Sequence, residues 1–319
     1  MERLDSRNKS RFKAIAGAFI CYSVWGGSFV FTKIGLPYCL PMQFIGIRFG
    51  LAALALLLLQ VTGLIKIRLR LADLPFLLIQ ALMEPVIYFL FETYGLAFGA
   101  ASEGALFLAT TPVFVIFFSA VILKEYIKPV QAVFLITSVS GVIFITLMDG
   151  FAGGDMISKI LFAGAVLTAT AYVILTRHLG KRFNSLQSTY IMMMTGAVVF
   201  NIIGLGQFWG QNSSLVGYLA PLARPQALIS LLYLALLASI VAFFLSNYSL
   251  RNMPPFQVSV FSNYATVVTI LVSMALLKER LLWWHWLGIA VIMIGVAGTN
   301  YFQQSGKTRL VQDKGTEDG

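Results

Sequence analysis

The sequence has few charged residues: Asp, Glu, Lys and Arg make up only 11% of its 319 positions, whereas soluble globular domains carry about 25%. Apolar residues make up 58% of the chain. A chain of this composition cannot cover a water-facing surface with polar side chains. The apolar residues also fall in runs of about 20, which is the length needed to cross a hydrocarbon core roughly 30 Å thick. The composition therefore predicts an integral membrane protein.

Residues that carry catalysis or bind metals are also scarce, with two cysteines and two histidines in the chain. Cys21 and Cys39 would lie about 27 Å apart along a helix, too far for a disulfide. His178 and His285 belong to no motif that pairs a nucleophile with a base, and a nucleotide-binding G-x-x-x-x-G-K-[ST] motif is absent. We therefore expect no enzyme activity, no catalytic residue, no metal site and no cofactor.

The apolar runs predict an all-α membrane protein with ten transmembrane helices. Pro41, Pro129 and Pro255 stand at predicted helix starts, where a missing backbone N–H has no partner to lose. The connection from Gln207 to Pro225 and the polar tail after Tyr301 are expected to be solvated and mobile. The ten helices are predicted near residues 12–32, 41–60, 74–95, 101–123, 129–148, 158–177, 186–206, 226–248, 255–277 and 281–302.

The net charge of +10 is distributed as a topology signal. With the N-terminus in the cytoplasm, 17 Lys and Arg lie in inner segments and 5 in outer segments, while Arg48 lies within the second helix. This asymmetry favours both termini inside a plasma or inner membrane. Because the basic residues lie in short connections between apolar runs, we expect lipid and not nucleic acid as the partner.

A shift of 154 residues aligns the second part of the chain with the first. It pairs Tyr94 with Tyr248 and continues without a gap through Gly141 and Gly295. We therefore predict a duplication, with residues 1–150 as the first five-helix repeat, 151–302 as the second and 303–319 as a polar tail. Because each repeat has an odd number of helices, the second must cross the membrane in the inverted orientation.

The first half carries a series of short motifs: Trp25-Gly26-Gly27-Ser28-Phe29, Arg48-Phe49, Tyr94-Gly95-Leu96, Ala101-Ser102-Glu103, Thr111-Pro112, Leu123-Lys124-Glu125 and Gly141. With these motifs the sequence resembles the drug/metabolite transporter superfamily, in its ten-helix EamA-type branch. Thr266 departs from the family pattern, since it stands where a proline matching Pro112 is common, and Ala169 to Tyr172 replace a Trp-containing pattern. The resemblance implies a central cavity lined by helices one to four and six to nine. It also implies a small-molecule cargo such as amino acids, commonly moved outward, in some members by exchange or with protons.

Glu84 is the leading candidate for chemistry because it lies near the middle of the third helix. A charge at that depth costs at least about 2.5 to 3.5 kcal/mol, so the side chain should face the bundle interior. Gln80, Glu84, Tyr88 and Glu92 recur at a spacing of four and predict a polar stripe, and Pro85 predicts a kink beside Glu84. The alternative is that Glu84 only forms an ion pair with Arg48.

Other polar or aromatic residues within the apolar runs could line the same cavity. Glu103 follows Ser102 at a helix start, where a carboxylate is explained by the helix dipole. The predicted substrate-binding residues are Trp25, Arg48, Glu84, Tyr88, Glu92, Tyr172, Asn247 and Asn263.

The function that best fits these features is a secondary transporter, and more specifically an exporter, of small metabolites such as amino acids. It would work by alternating access to the cavity, with protons as a candidate coupling ion. A membrane channel is the alternative, and a membrane-embedded enzyme is the weaker one. The sequence does not separate a monomer from a homodimer.

Overall fold

The computed structural model describes residues 2–98, 107–124, 128–149, 156–209, 214–277 and 282–315, and in these ranges the regular secondary structure is helix, with no strand. In chain order, the helices are α1 (Glu2–Gly35), α2 (Pro41–Val61), α3 (Leu74–Ala81, Leu82–Ile87 and Tyr88–Phe98), α4 (Thr111–Ile122), α5 (Pro129–Asp149), α6 (Met156–Leu179), α7 (Ser185–Trp209), α8 (Pro225–Leu232, Tyr233–Val241 and Ala242–Asn252), α9 (Pro255–Ser259 and Phe261–Leu277) and α10 (Trp283–Gly315).

Among these helices, eight are long and apolar enough to cross a membrane. The two others, α4 and α5, contain the shorter apolar helices Phe107–Ile122 and Pro129–Ile145. The all-helical class and the multiple spans are confirmed. The full count of ten crossings stays a prediction, because residues 99–106 lie outside the described residues. They include Glu103 and the first part, 101–106, of the predicted fourth helix.

The polar tail differs from the sequence-based expectation. It continues α10 as helix to Gly315, where the sequence predicts a mobile segment. Extending an existing helix needs no new nucleus, and proline is absent from residues 303–315.

The connection between α7 and α8 is also more ordered than expected. It contains the short helices Leu215–Leu219 and Ala220–Ala223, and Tyr218 is only 2% exposed. The amide of Gln43 donates to the Tyr218 carbonyl at 2.7 Å, and the Tyr218 hydroxyl donates to Asn201 Oδ1 at 3.0 Å. Burial raises the pKa of Tyr218 to about 12, so the hydroxyl keeps its proton at physiological pH. These contacts attach the connection to α2 and α7.

Both α3 and α8 are interrupted by a segment of π-helix. In α3 this segment is Leu82–Ile87, and Glu84 has an extended backbone there, with φ of −148° and ψ of 121°. The kink predicted from Pro85 is confirmed. In α8 the corresponding segment is Tyr233–Val241, which includes the residues 154 positions after Leu82–Ile87.

The pairing of the helices is symmetric between the two halves. The helix α2 packs along α7, and α5 packs along α10. The helix α3 packs on α6, and the equivalent pair α8 and α1 is also in contact. In the same way α4 packs on α6, and the equivalent pair α9 and α1 is in contact. Exchanging every helix with the one five places away leaves this set of pairs unchanged.

The contact between α5 and α10 repeats this symmetry at single residues. A Cβ added to Gly141 would lie 3.0 Å from the backbone N of Ile292 and 3.1 Å from the carbonyl O of Gly288. A Cβ added to Gly295 would lie 2.5 Å from the backbone N of Ser138 and 2.6 Å from the carbonyl O of Phe134. Each residue in the second set stands 154 positions from its counterpart in the first, so the two helices approach through equivalent surfaces.

We predict that Gly295→Ala destabilises the protein by about 1 to 3 kcal/mol, because the added methyl group meets the backbone of α5 and the helices must separate. Thermal unfolding of the purified protein in detergent measures the effect. The matched control is Gly206→Ala in α7, where an added Cβ meets no atom within 4 Å. Equal melting temperatures for both variants would contradict the close approach of α5 and α10.

Candidate functional site

A cavity of about 150 Å³ lies between the C-terminal end of α1, the N-terminal half of α2 and the C-terminal part of α3. Most of its wall is apolar, but two ionisable side chains of opposite charge, Arg48 and Glu92, share it. The complete lining is Thr32, Leu36, Pro41, Phe44, Ile45, Arg48, Phe89, Glu92 and Thr93. Three of the residues predicted from the sequence to act together, Arg48, Glu92 and the adjacent Tyr88, are therefore close in space.

Arg48 is held firmly in the cavity wall. Its side chain is buried, and Nε donates a hydrogen bond to Ser239 Oγ in the π-helical segment of α8 at 2.9 Å. The guanidinium carbon lies 4.8 Å from the ring centroid of Phe89 and 5.3 Å from that of Phe49, within the range of cation–π attraction. Its Nη groups make no hydrogen bond with the described residues. They are available to an anionic group on a ligand.

Glu92 is positioned by its own helix. The Tyr88 hydroxyl donates to Glu92 Oε1 at 3.0 Å, one turn away on α3. This bond orients the carboxylate, and the other oxygen makes no hydrogen bond within the described ranges. The cavity thus presents a cation and an anion on neighbouring helices, each with unused hydrogen-bonding capacity.

Glu84 lies deeper along α3 and is 7% exposed. Among the described residues it has neither a hydrogen bond nor an ion pair within 4.0 Å. The alternative of a close ion pair with Arg48 is therefore not what the structure contains, because Arg48 donates to Ser239 instead. The charges of Arg48 and Glu92 still lie within electrostatic range of Glu84.

On the other side of Glu84 from the cavity, buried polar residues join α3 to the second half of the chain. Gln80 Nε2 donates to Thr176 Oγ1 at 2.7 Å and to Asn247 Oδ1 at 3.0 Å. The same Asn247 oxygen accepts from the Tyr172 hydroxyl at 3.3 Å, and Asn247 Nδ2 donates to Thr189 Oγ1 at 3.0 Å. We call Gln80, Tyr172, Thr176, Thr189 and Asn247 the polar network. All five side chains are buried.

The predicted aromatic residues of α1 and α6 meet on one ring. Trp25 and Tyr172 both contact Phe243 edge-on, with centroid distances of 5.2 and 6.2 Å. Trp25 Nε1 also donates to the Ala238 carbonyl in the π-helical segment of α8 at 3.0 Å. Trp25 therefore packs from the first half onto α8, whereas the ring contact of Tyr172 joins α6 to α8 within the second half.

Asn263 lies apart from the other predicted residues. It is fully buried, and its Nδ2 donates to Ser138 Oγ of α5 at 3.0 Å. It therefore contacts the α5 side of α9 and does not line the described cavity. Sequence reasoning missed Ser239, Thr176 and Thr189, although each is a hydroxyl within an apolar run, which is a signal of interhelical hydrogen bonding.

Comparison with known proteins gives consistent matches over nearly the whole chain. Residues 12–147 and 156–301 each match the sequence profile of the EamA-like transporter family. The chain is 35% identical to the uncharacterized transporter YcxC of Bacillus subtilis (strain 168), over 89% of this chain and 91% of the relative. It is 26% identical to the uncharacterized inner membrane transporter YedA of Escherichia coli (strain K12), over 87% of each protein. A solved crystal structure matches with a TM-score of 0.72 at 13% identity, over 90% of this chain and 98% of the other.

We predict that Gln80 and Asn247 are energetically coupled. Replacing either with Leu removes the hydrogen bond between them together with that residue's bonds to the rest of the polar network, which costs about 1 to 3 kcal/mol, whereas in the double variant the shared bond is lost only once. Thermal unfolding of Gln80→Leu, Asn247→Leu and the double variant should give a coupling energy of at least about 0.5 kcal/mol. As a control, Asn300→Leu combined with Gln80→Leu should be additive, because Asn300 donates to its own helix. Additivity in the Gln80 and Asn247 pair would disprove the network.

Proposed function

The chain belongs to the EamA-like transporter family, and on that premise we propose that this multi-pass membrane transporter is a secondary exporter of small zwitterionic metabolites such as amino acids. It works by alternating access to a central cavity formed by two inverted repeats. Both termini lie in the cytoplasm, as the distribution of Lys and Arg favours, and the protein resides in the plasma or inner membrane.

The observation that carries the cargo class is the pair of opposite charges in one cavity. A guanidinium donates two parallel hydrogen bonds to a carboxylate, and a carboxylate accepts from an ammonium group. Arg48 and Glu92 therefore complement the two ends of a zwitterion, while Phe44, Phe89 and Ile45 provide apolar surface for its side chain. The volume of about 150 Å³ favours a small molecule.

Alternating access is supported by the different environments at the two ends of the polar stripe on α3. Glu92 lines the cavity, whereas Gln80 is enclosed in the polar network. Each hydrogen bond contributes a net 0.5 to 1.5 kcal/mol or so, so a few of them form a barrier that cargo binding can offset. A continuous channel would need this end of the stripe to be open as well.

The proposed repeat relates these two environments. Asn247 in the polar network stands 154 positions after Thr93, which lines the cavity. Two separate profile matches, the symmetric helix pairing and the matching π-helical segments support a duplication. If the halves exchange conformations, Thr93 becomes enclosed while Asn247 becomes exposed, which moves the opening of the cavity to the other face.

Glu84 lies between the two environments and is the proposed proton carrier. A buried carboxylate without a described hydrogen-bond partner can change charge when its surroundings change, and transfer of cargo past it changes those surroundings. If it instead stays ionised, it serves as a second acceptor for the amino group of the cargo.

We predict that Arg48→Gln weakens transport of amino acids on the order of ten- to a hundredfold in KM, because a hydrogen bond to a charged group contributes about 1.5 to 3 kcal/mol. Uptake of radiolabelled metabolites into proteoliposomes measures this effect. Amines that lack a carboxylate should lose little in Arg48→Gln but lose affinity in Glu92→Gln. The charge-matched control is Arg224→Gln, which alters an exposed arginine outside the cavity and should transport normally. Equal losses for zwitterions and amines in Arg48→Gln would refute the assigned roles.

We also predict that Glu84→Gln removes the response of transport to pH, or abolishes transport, in protein that still folds. The amide keeps the size of the side chain but cannot exchange a proton. Uptake between about pH 5.5 and 8.5, together with thermal unfolding, separates function from stability. Arg48→Gln and the Glu84→Gln, Arg48→Gln double variant test the structural alternative. A wild-type pH response in Glu84→Gln, with stability restored only in the double variant, would leave Glu84 a purely structural role.

A further inference from the structure

The connection after α2 carries a row of basic side chains on one face. Residues 66–70 form no regular secondary structure, Arg70 has an extended backbone, and Lys66, Arg68 and Arg70 are exposed. The intervening apolar residues are partly buried, and Ile65 and Leu69 pack against the hydrophobic core. Exposure alternates along the segment, from exposed basic residues to partly buried apolar ones, so the three basic groups share the side that faces away from the core.

A second connection, between α6 and α7, adds two more basic residues to this face. Lys181 and Arg182 are exposed there. The two connections are attached to each other, since Gln187 Nε2 donates to the Arg68 carbonyl at 2.6 Å and Arg182 forms an ion pair with Asp73. We call Lys66, Arg68, Arg70, Lys181 and Arg182 the basic face. Asp73 pairs with only one of these five basic residues, Arg182, so the basic face keeps an excess of positive charge.

An apolar groove leads away from the basic face between α3 and α7. Its volume is about 280 Å³, and its only polar lining residue is a threonine. The groove begins at Leu74, the residue after the Asp73 that pairs with Arg182, and Val198 on its wall is 60% exposed. The guanidinium of Arg182 lies 4.7 Å from the centroid of Phe76 in the same region of α3. The lining is Leu74, Leu78, Ile191, Met194, Thr195, Val198 and Val199.

We propose that the basic face and this groove together bind one anionic phospholipid. The phosphate of the headgroup lies against Arg70 and Lys181, and one acyl chain lies in the groove between α3 and α7. The side chains of Lys66, Arg68, Arg70 and Lys181 make no hydrogen bond or ion pair with the described residues, so their charges are available to a headgroup. Basic clusters next to the ends of membrane helices attract anionic lipids.

The combination of the two surfaces favours a lipid over a soluble anion. An inorganic anion would use the basic face alone and gain nothing from an apolar groove that begins beside it. The orientation of the protein in the membrane depends on the number of basic residues on each side and does not require fixed positions for them. Here, however, the contacts of Gln187 and Asp73 hold the two basic connections together. The bound lipid bridges α3 and α7, which contribute Gln80 and Thr189 to the polar network.

The test compares the melting temperature of the delipidated, full-length protein in detergent with and without added phospholipid. Phosphatidylglycerol should raise it by at least about 4 °C, and phosphatidylcholine with the same acyl chains should raise it much less. Native mass spectrometry of the same samples should retain one phosphatidylglycerol. An equal shift with phosphatidylcholine, or with inorganic phosphate alone, would overturn the proposal.

Two variants separate a built site from general surface charge. Arg70→Gln with Lys181→Gln should lose most of the phosphatidylglycerol shift, while the matched pair Lys13→Gln with Arg224→Gln, also exposed, should keep it. Val198→Trp, which fills the groove and leaves the basic face intact, should also lose the shift. Equal losses in both charge-reducing pairs, or a full shift in Val198→Trp, would show that the lipid is held only by nonspecific attraction.

Discussion

A polar group within the hydrocarbon core must find its partner inside the protein, because no water is there to replace one. This constraint explains why several buried polar side chains of this chain are joined across helices. Arg48 is bound by Ser239 and two aromatic rings, and Gln80 reaches both Thr176 and Asn247. Free hydrogen-bonding capacity remains on the ionisable side chains at and near the cavity, Arg48, Glu92 and Glu84. Among the described residues, buried hydroxyl and amide atoms without a partner also occur elsewhere, at Ser119, Ser230, Gln257 and Asn300. Under the proposed function, a cargo or a proton meets the unused capacity at the cavity.

The positions of the helices and the kink beside Glu84 could be predicted from the sequence because they depend on local features. Apolar run length marks a span, and Pro85 cannot continue the hydrogen-bonding pattern of a helix. The partners of individual side chains could not be predicted in this way. Asn263 contacts α5 and Arg48 contacts Ser239 because of how each helix is rotated about its axis, which depends on packing across the whole bundle. The ordered connection around Tyr218 was missed for the same reason, since Gln43 and Asn201 are distant in sequence.

The interruptions in α3 and α8 lie where the two halves exchange polar contacts. The π-helical segment of α8 provides the Ser239 hydroxyl to Arg48 and the Ala238 carbonyl to Trp25, so residues of α1 and α2 bind a helix of the other half. The segment of α3 places Glu84 on extended backbone between the cavity and the polar network. Irregular backbone is therefore found where residues of one half contact the other, beside the proposed route of the cargo. The regular helices α5 and α10 pack mainly on each other, away from these contacts.

The paired glycines of α5 and α10 have a consequence for how the two halves could have diverged. Gly141 lies against the backbone near Gly288 and Ile292, while Gly295 lies against the backbone near Phe134 and Ser138. The two helices therefore contact each other through equivalent surfaces. Under the proposed duplication, a single half inserted in both orientations would already have possessed this mutual fit. A pair of oppositely inserted copies could then have formed an antiparallel dimer before their genes were joined. After fusion, a larger side chain on either helix would be tolerated only with a compensating change on the other. The sequence of the contact between α5 and α10 should therefore have diverged more slowly than that of the cavity wall.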